Sequence, residues 1–164
     1  PAECCCLGMP NLETFVFVCS CANVLLYLHR VQNEITVNNK VTYWVEMSDY
    51  DFDTAKAMLE TKRYLYVAFM CHQTIEKILK AYWSSVLEEP PLKIHSLSRL
   101  AEKSGLDKDM SEEQTDFIDE LEPLNIEARY PSYKERLMRS LSHNRCKELI
   151  EQTDKLRTWI KSKL

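Results

Sequence analysis

The chain has 164 residues, of which 45% are hydrophobic and 28% are charged, a composition typical of one globular domain with an ordinary core. Its net charge of −4 argues against a protein that coats nucleic acid non-specifically. Because Gly8 and Gly105 are the only glycines in the sequence, tight β-hairpins are disfavoured and helices are predicted.

The N-terminal residues 1–37 are interpreted as an extra segment outside the functional domain. Phe15–Leu28 is uncharged but is shorter than the roughly 20 residues of a membrane span. A signal peptide would require basic residues near its start, but no Lys or Arg precedes Arg30. We therefore predict no membrane association. One hypothesis is that translation starts at Val37, and the alternative is an additional helix or arm.

The cysteines indicate a reducing compartment. Five of the seven lie in the first 21 residues, whereas Cys71 and Cys146 lie alone on predicted apolar helix faces. This spacing is typical neither of a disulfide framework nor of a zinc site. We therefore predict a cytoplasmic protein with core thiols and without a metal or other cofactor.

The first two predicted helices of the domain at 38–164 follow from apolar spacing. The first covers 41–61, with Asn38 or Asn39 as its N-cap. The second covers 64–86 and is ended by Pro90 and the proline after it. The second helix carries more apolar and aromatic residues than one buried face requires, namely Tyr66, Val67, Phe69 and Met70. That surplus predicts a homodimer.

The remaining helices are predicted from their caps. A third covers 96–103 and closes at Gly105, and a fourth starts at Ser111, which forms a capping box with Gln114. A fifth follows Ser142. The stretch 125–141 is predicted to be irregular, and an irregular segment of this length in a compact domain is often functional.

The charges are distributed unevenly along the chain. Between Asp107 and Glu122, eight acidic residues occur with a single basic one, whereas Glu127–Leu164 contains ten basic and five acidic residues. An anionic partner would prefer the basic segment. The alternative is that both segments are solvated helix faces.

Three stretches resemble the HEPN domain family (higher eukaryotes and prokaryotes nucleotide-binding). They are YWVEMSDYDFDTAKAMLE in the first helix, YLYVAFMCHQTIEKILKAYW in the second, and the linked pair IHSLSRLAEKSGL and IEARYPSY. The resemblance implies an all-α, antiparallel bundle of about four or five helices that commonly dimerises. It also implies that the gene often lies beside one for a minimal nucleotidyltransferase, in a toxin–antitoxin-like pair.

The catalytic branch of this family cleaves RNA without a metal, using an Arg followed closely by a His. The Arg stabilises the phosphate charge, and the His moves the proton of the 2′-hydroxyl. Arg129 stands where the family places an Arg, but no His follows it at that spacing. Arg136 and His143 satisfy the spacing and are the candidate catalytic pair.

A ligand-binding role has its own candidate residues. Aromatic rings can stack on bases while a guanidinium pairs with phosphate. The candidates for holding a nucleotide or RNA phosphate are Arg129, Tyr130 and Tyr133, with Glu76, Lys77 and Lys80 lining a polar cleft on the second helix. The alternatives are that the tyrosines pack the irregular stretch onto the bundle and that the charges on the second helix are simply solvated.

Two further histidines receive other interpretations. His95 is predicted to cap or pack a helix rather than to catalyse a reaction, whereas His72 and Gln73 are predicted to face a dimer partner. The preferred function is a binding and regulatory module paired with a nucleotidyltransferase. A ribonuclease toxin and a structural helical adaptor are the alternatives.

Overall fold

The computed structural model describes residues 37–127 and 140–164, without the side chains of residues 126 and 127. The helices in these ranges are α1 (37–60), α2 (Tyr64–Val86), α3 (Leu97–Ser104), a 3-10 turn (Leu106–Asp109), α4 (Glu112–Leu121), α5 (Leu124–Glu127) and α6 (His143–Lys161). These ranges contain no strand, so the predicted all-α class is confirmed. None of the described helices combines the length and the apolar character needed to cross a bilayer.

Helix α2 is the centre of the bundle, and it packs against α3, α4, α5 and α6. Its apolar stripe meets the inner faces of α3 and α6, where the largest fully buried side chains include Ile75, Ile78, Leu100, Leu149 and Ile160. Burying such a stripe along a helix of 23 residues supplies most of the driving force for the fold.

Helix α1 is held against the bundle by polar contacts as well as by apolar packing. The Ser48 hydroxyl donates a hydrogen bond to the Thr74 carbonyl of α2 over 2.9 Å. The Asp49 carboxylate accepts from Arg157 and from Lys161 of α6, the latter over 2.7 Å. Both ends of the described chain are therefore joined across more than 100 residues of sequence.

Three of four helix caps form as the sequence predicts, and the fourth, Ser96, is expected from the sequence to be the first residue of α3 rather than its cap. Ser96 accepts from the backbone of α3, which closes at Gly105 with φ 76°, a left-handed conformation that favours glycine. Ser111 and Gln114 make both hydrogen bonds of the capping box at α4. Ser142 caps α6. Local side-chain chemistry thus sets the start of three helices and the end of one.

Three predictions about the chain path and its surface are wrong. Asn38 and Asn39 lie inside α1 rather than at its cap, because the helix already includes residue 37. Asn125 is helical and 4% exposed, because Pro123 ends α4 and its fixed φ suits the start of α5. Val67, assigned to a surplus apolar surface, is fully buried in the core, and Tyr66 is 51% exposed.

The two described cysteines are core thiols, as predicted. Cys71 and Cys146 are both free and buried. Burial raises the pKa of Cys71 to about 12 and that of Cys146 to about 11. Both thiols are therefore protonated and poorly nucleophilic at neutral pH.

Candidate ligand-binding site

A group of charged side chains, hereafter the α2 charged cluster, lies along one side of α2. It comprises Asp51 of α1, Glu76, Lys77 and Lys80 of α2, and His95 of the linker before α3. Glu76 and Lys80 are four residues apart, which places them on adjacent turns of the same helix face. Residues from α1 and from the linker complete the cluster because both segments pack beside α2.

Glu76 is the centre of this cluster and is 1% exposed. Its Oε1 accepts a hydrogen bond from Lys80 Nζ over 2.7 Å, and its Oε2 lies 3.0 Å from His95 Nδ1. The Nδ1 atom of the buried His72 lies 4.0 Å from the same oxygen. A carboxylate this deeply buried persists only when it is paired and hydrogen-bonded.

The surroundings of Glu76 keep its carboxyl group ionised. Burial alone raises the pKa of Glu76. The hydrogen bonds from Lys80 and His95, and the positive charges of Lys80 and Lys77, lower this pKa by more than burial raises it. The net effect lowers the pKa of Glu76 below its ordinary value of 4.5. Because an ionised carboxylate only accepts hydrogen bonds, Nδ1 of His95 carries the proton between them.

Lys80 lies between this carboxylate and an aromatic edge. It is 7% exposed, and its Nζ is 5.4 Å from the centroid of the Trp44 ring. Tyr43, which is 54% exposed, meets Trp44 edge-on with the ring centroids 5.2 Å apart. The cluster thus has a cation beside an aromatic pair that reaches the surface, an arrangement suited to cation–π contact and base stacking.

A second ion pair lies next to the first. Lys77 Nζ is 3.6 Å from Asp51 Oδ2 and donates to Gln73 Oε1 over 3.0 Å. Burial raises the pKa of Asp51, and the opposing charge and hydrogen bond of Lys77 do not fully offset that effect. The formal charges of Asp51 and Glu76 balance those of the two lysines, so an anionic ligand requires a further cation.

The structure brings three of the predicted binding residues together. Glu76 and Lys80 are buried, so the alternative of a solvated helix face does not hold for them. Arg129, Tyr130 and Tyr133 lie outside the described residues, and their positions relative to the α2 charged cluster stay a prediction.

The candidate catalytic pair is described only in part. Arg136 lies outside the described residues. His143 is the first residue of α6 and is exposed, with its ring centroid 6.1 Å from that of Tyr64. The exposed imidazole is open to a ligand, and its pairing with Arg136 stays a prediction.

Two histidine interpretations are corrected. His95 neither caps nor fills the core: Ser96 makes the cap, while the His95 side chain is 58% exposed and contacts Glu76. His72 is fully buried within the domain and does not face a partner. Glu76 and His95 are 19 residues apart, so no helical spacing rule could have paired them.

A metal site and an acidic groove are the two alternatives to the α2 charged cluster as a ligand site. Within residues 37–127 and 140–164, no group of three or more His, Cys, Asp or Glu side chains could hold a metal ion. A groove of about 360 Å³ between α4 and α6 is lined by Glu112, Glu113, Asp116, Phe117, Glu120 and Gln152. Its four carboxylates repel anions, so a phosphate ligand would avoid it.

Comparisons with known proteins address the fold and the family. A model of the HEPN domain matches residues 41–163, which include the whole α2 charged cluster. The fold is similar to that in the crystal structure of TT1696 from Thermus thermophilus, with a TM-score of 0.67 and 21% identity over 77% of this chain and 99% of that chain. A search of curated proteins returned no match. At this identity the structural likeness concerns the fold alone.

Proposed function

This chain belongs to the HEPN domain family, as the match over residues 41–163 shows, and we propose that it is a regulatory module that binds a nucleotide or an RNA phosphate. The observation that carries the proposal is the position of Lys80, which lies between the ionised Glu76 and the Trp44 ring. A buried ion pair beside aromatic rings is costly to maintain for stability alone, and a binding role accounts for it.

The chemistry of the α2 charged cluster suits a nucleotide in two respects. Tyr43 and Trp44 offer ring faces and edges for a base, and the lysines offer positive charge for a phosphate. Because the acids of the cluster neutralise both lysines, the additional cation must come from elsewhere. Arg129 is proposed to supply it, with Tyr130 and Tyr133 adding stacking surfaces.

The test is a calorimetric titration of the full chain with adenosine 5′-monophosphate and with inorganic pyrophosphate. Arg129→Lys is expected to weaken binding of both by roughly tenfold without lowering the melting temperature, since lysine keeps the charge but loses the two-pronged hydrogen bonding. Arg63→Lys is the matched control, because Arg63 is exposed at the start of α2, several turns from the cluster. Absence of binding by either probe, or equal binding by Arg129→Lys and the unaltered chain, would overturn the proposal.

The alternative function is metal-independent RNA cleavage through Arg136 and His143, supported by the exposure of His143. If the purified protein cleaves RNA in the presence of a chelator, His143→Ala should abolish both cleavage and any growth arrest. Under the binding proposal, His143→Ala leaves ligand affinity unchanged. RNA cleavage that depends on His143 would therefore support the ribonuclease, whereas ligand binding without RNA cleavage would support the regulatory module.

A partner is proposed from family membership. Since HEPN domains are often encoded beside a minimal nucleotidyltransferase, we expect the neighbouring gene to encode one and the two products to co-elute when expressed together. A neighbour of another class, or separate elution of the two proteins, would contradict this pairing. It would leave the proposed binding of nucleotide or RNA phosphate untouched.

A further inference from the structure

His95 is an exposed imidazole held by a buried carboxylate. Its side chain is 58% exposed, whereas the side chain of Glu76 is 2% exposed. The contact joins His95 Nδ1 to Glu76 Oε2 over 3.0 Å, and Lys80 fixes the other oxygen of the same carboxylate over 2.7 Å. The orientation of the ring is therefore set by a group that cannot itself turn freely.

This anchoring determines what the opposite ring nitrogen can do. Glu76 is ionised and accepts the Nδ1 hydrogen, so in the neutral ring Nε2 carries a lone pair. Because Nδ1 of His95 contacts the Glu76 carboxylate, Nε2, on the other side of the ring, is directed away from Glu76. A lone pair presented in this way accepts a hydrogen bond from a hydroxyl group, and it repels phosphate oxygens.

We propose that His95 recognises a ribose hydroxyl and makes the α2 charged cluster select ribonucleotides over deoxyribonucleotides. The inference rests on the proposed function, in which the phosphate of the same ligand is bound beside Lys80. His95 and Lys80 each contact one oxygen of the same carboxylate, so both side chains lie next to Glu76. Trp44 borders Lys80, which leaves base, phosphate and sugar each next to a group of suitable chemistry.

The size of the effect follows from the loss of one hydrogen bond. A deoxyribonucleotide lacks the hydroxyl that donates to His95, so Nε2 can be hydrogen-bonded only by water. The loss of this hydrogen bond should weaken binding by about three- to tenfold. A histidine that only ties the linker to α2 produces no such difference between the two sugars. Discrimination between sugars therefore separates ligand recognition from a purely structural contact.

The experiment compares adenosine 5′-monophosphate with its 2′-deoxy and 3′-deoxy analogues by calorimetric titration of the full chain. The unaltered protein is expected to bind at least one analogue about three- to tenfold more weakly than the ribonucleotide. In His95→Asn this ratio should fall to about one, because the shorter amide can still donate to Glu76 but has no atom at the position of Nε2. His95→Gln places an amide oxygen near that position and should restore part of the preference.

Inorganic pyrophosphate separates this inference from the proposed function. Pyrophosphate has no sugar, so its binding by the unaltered chain reports the phosphate site alone. If pyrophosphate binds but the three nucleotides have equal affinities, the role of His95 is wrong and the phosphate site stands. If His95→Asn keeps the full preference for ribose, another residue reads the sugar and the inference is likewise overturned. Failure of both pyrophosphate and nucleotide to bind removes the proposed function itself.

Discussion

Among the individual residues, Lys80 offers a direct measure of how much the buried ion pair contributes. Lys80→Met leaves the Glu76 carboxylate buried without its closest cation, and we expect the free energy of unfolding to fall by about 3 kcal/mol in urea titrations. Lys147→Met is the matched control, because Lys147 pairs with Glu151 at the same spacing on the exposed side of α6. That surface change should cost less than about 0.5 kcal/mol. Equal effects would mean that the cluster is more hydrated than its burial indicates.

The pH dependence of stability tests the ionisation of Glu76. Because its pKa is lower in the folded state than its ordinary 4.5, the carboxylate stabilises the fold above that value. This contribution is lost as pH falls through the folded-state pKa. Between about pH 6 and about pH 3, stability should therefore decrease less steeply in Glu76→Gln than in the unaltered chain. Parallel pH profiles of the unfolding free energy would contradict the assignment.

At the scale of helices, Glu122 links two elements that are separate in sequence. Its Oε2 accepts hydrogen bonds from the backbone nitrogens of Leu97 and Ser98, at 2.8 and 3.4 Å, and so caps the start of α3 from beyond the end of α4. Glu122→Ala should lower the free energy of unfolding by about 1 kcal/mol, the usual cost of losing an N-terminal cap. Asp119→Ala, at an exposed position of α4, should have almost no effect. A similar loss in both variants would indicate a general charge effect rather than capping.

The helices also show which features a sequence can predict. Gly105, Ser111 and Ser142 are predicted correctly at the ends of their helices because a cap depends on residues within one turn of it. The failure at Asn38 has the opposite cause: the same side chain can cap a helix or lie exposed within it, and packing further along the chain decides between them. Spacing placed Glu76 and Lys80 on one face of α2. Their burial depends on α1 and on the linker at His95, which no local pattern reveals.

Exposed aromatic surface on α2 bears on the predicted dimer. Of the residues first assigned to a surplus apolar surface on α2, Tyr66 is 51% exposed while Val67 belongs to the core. We expect light scattering to give the mass of two chains at micromolar concentration, and Tyr66→Glu to shift the protein towards the monomer. Tyr50→Glu, on α1, is the control for adding a charge at an exposed tyrosine. A monomeric mass for the unaltered chain would contradict the prediction.

The extent of the folding unit can be tested by truncation. Within the described residues, α1 contributes Phe52 and Ala55 to the core, and the Asp49 contacts hold α1 against α6. The role of residues 1–36 stays a prediction from the sequence. Deleting them should change the melting temperature by no more than about 2 °C. In a domain of this size a loss of about 1 kcal/mol in unfolding free energy lowers the melting temperature by about 4 °C, so a change of about 2 °C or less means that little stability is lost. In the truncated chain, Asp49→Ala should lower the melting temperature clearly, because α1 would lose its polar contacts with α6. If the deletion alone causes a large decrease, the first 36 residues contribute to the core and the domain begins before residue 37.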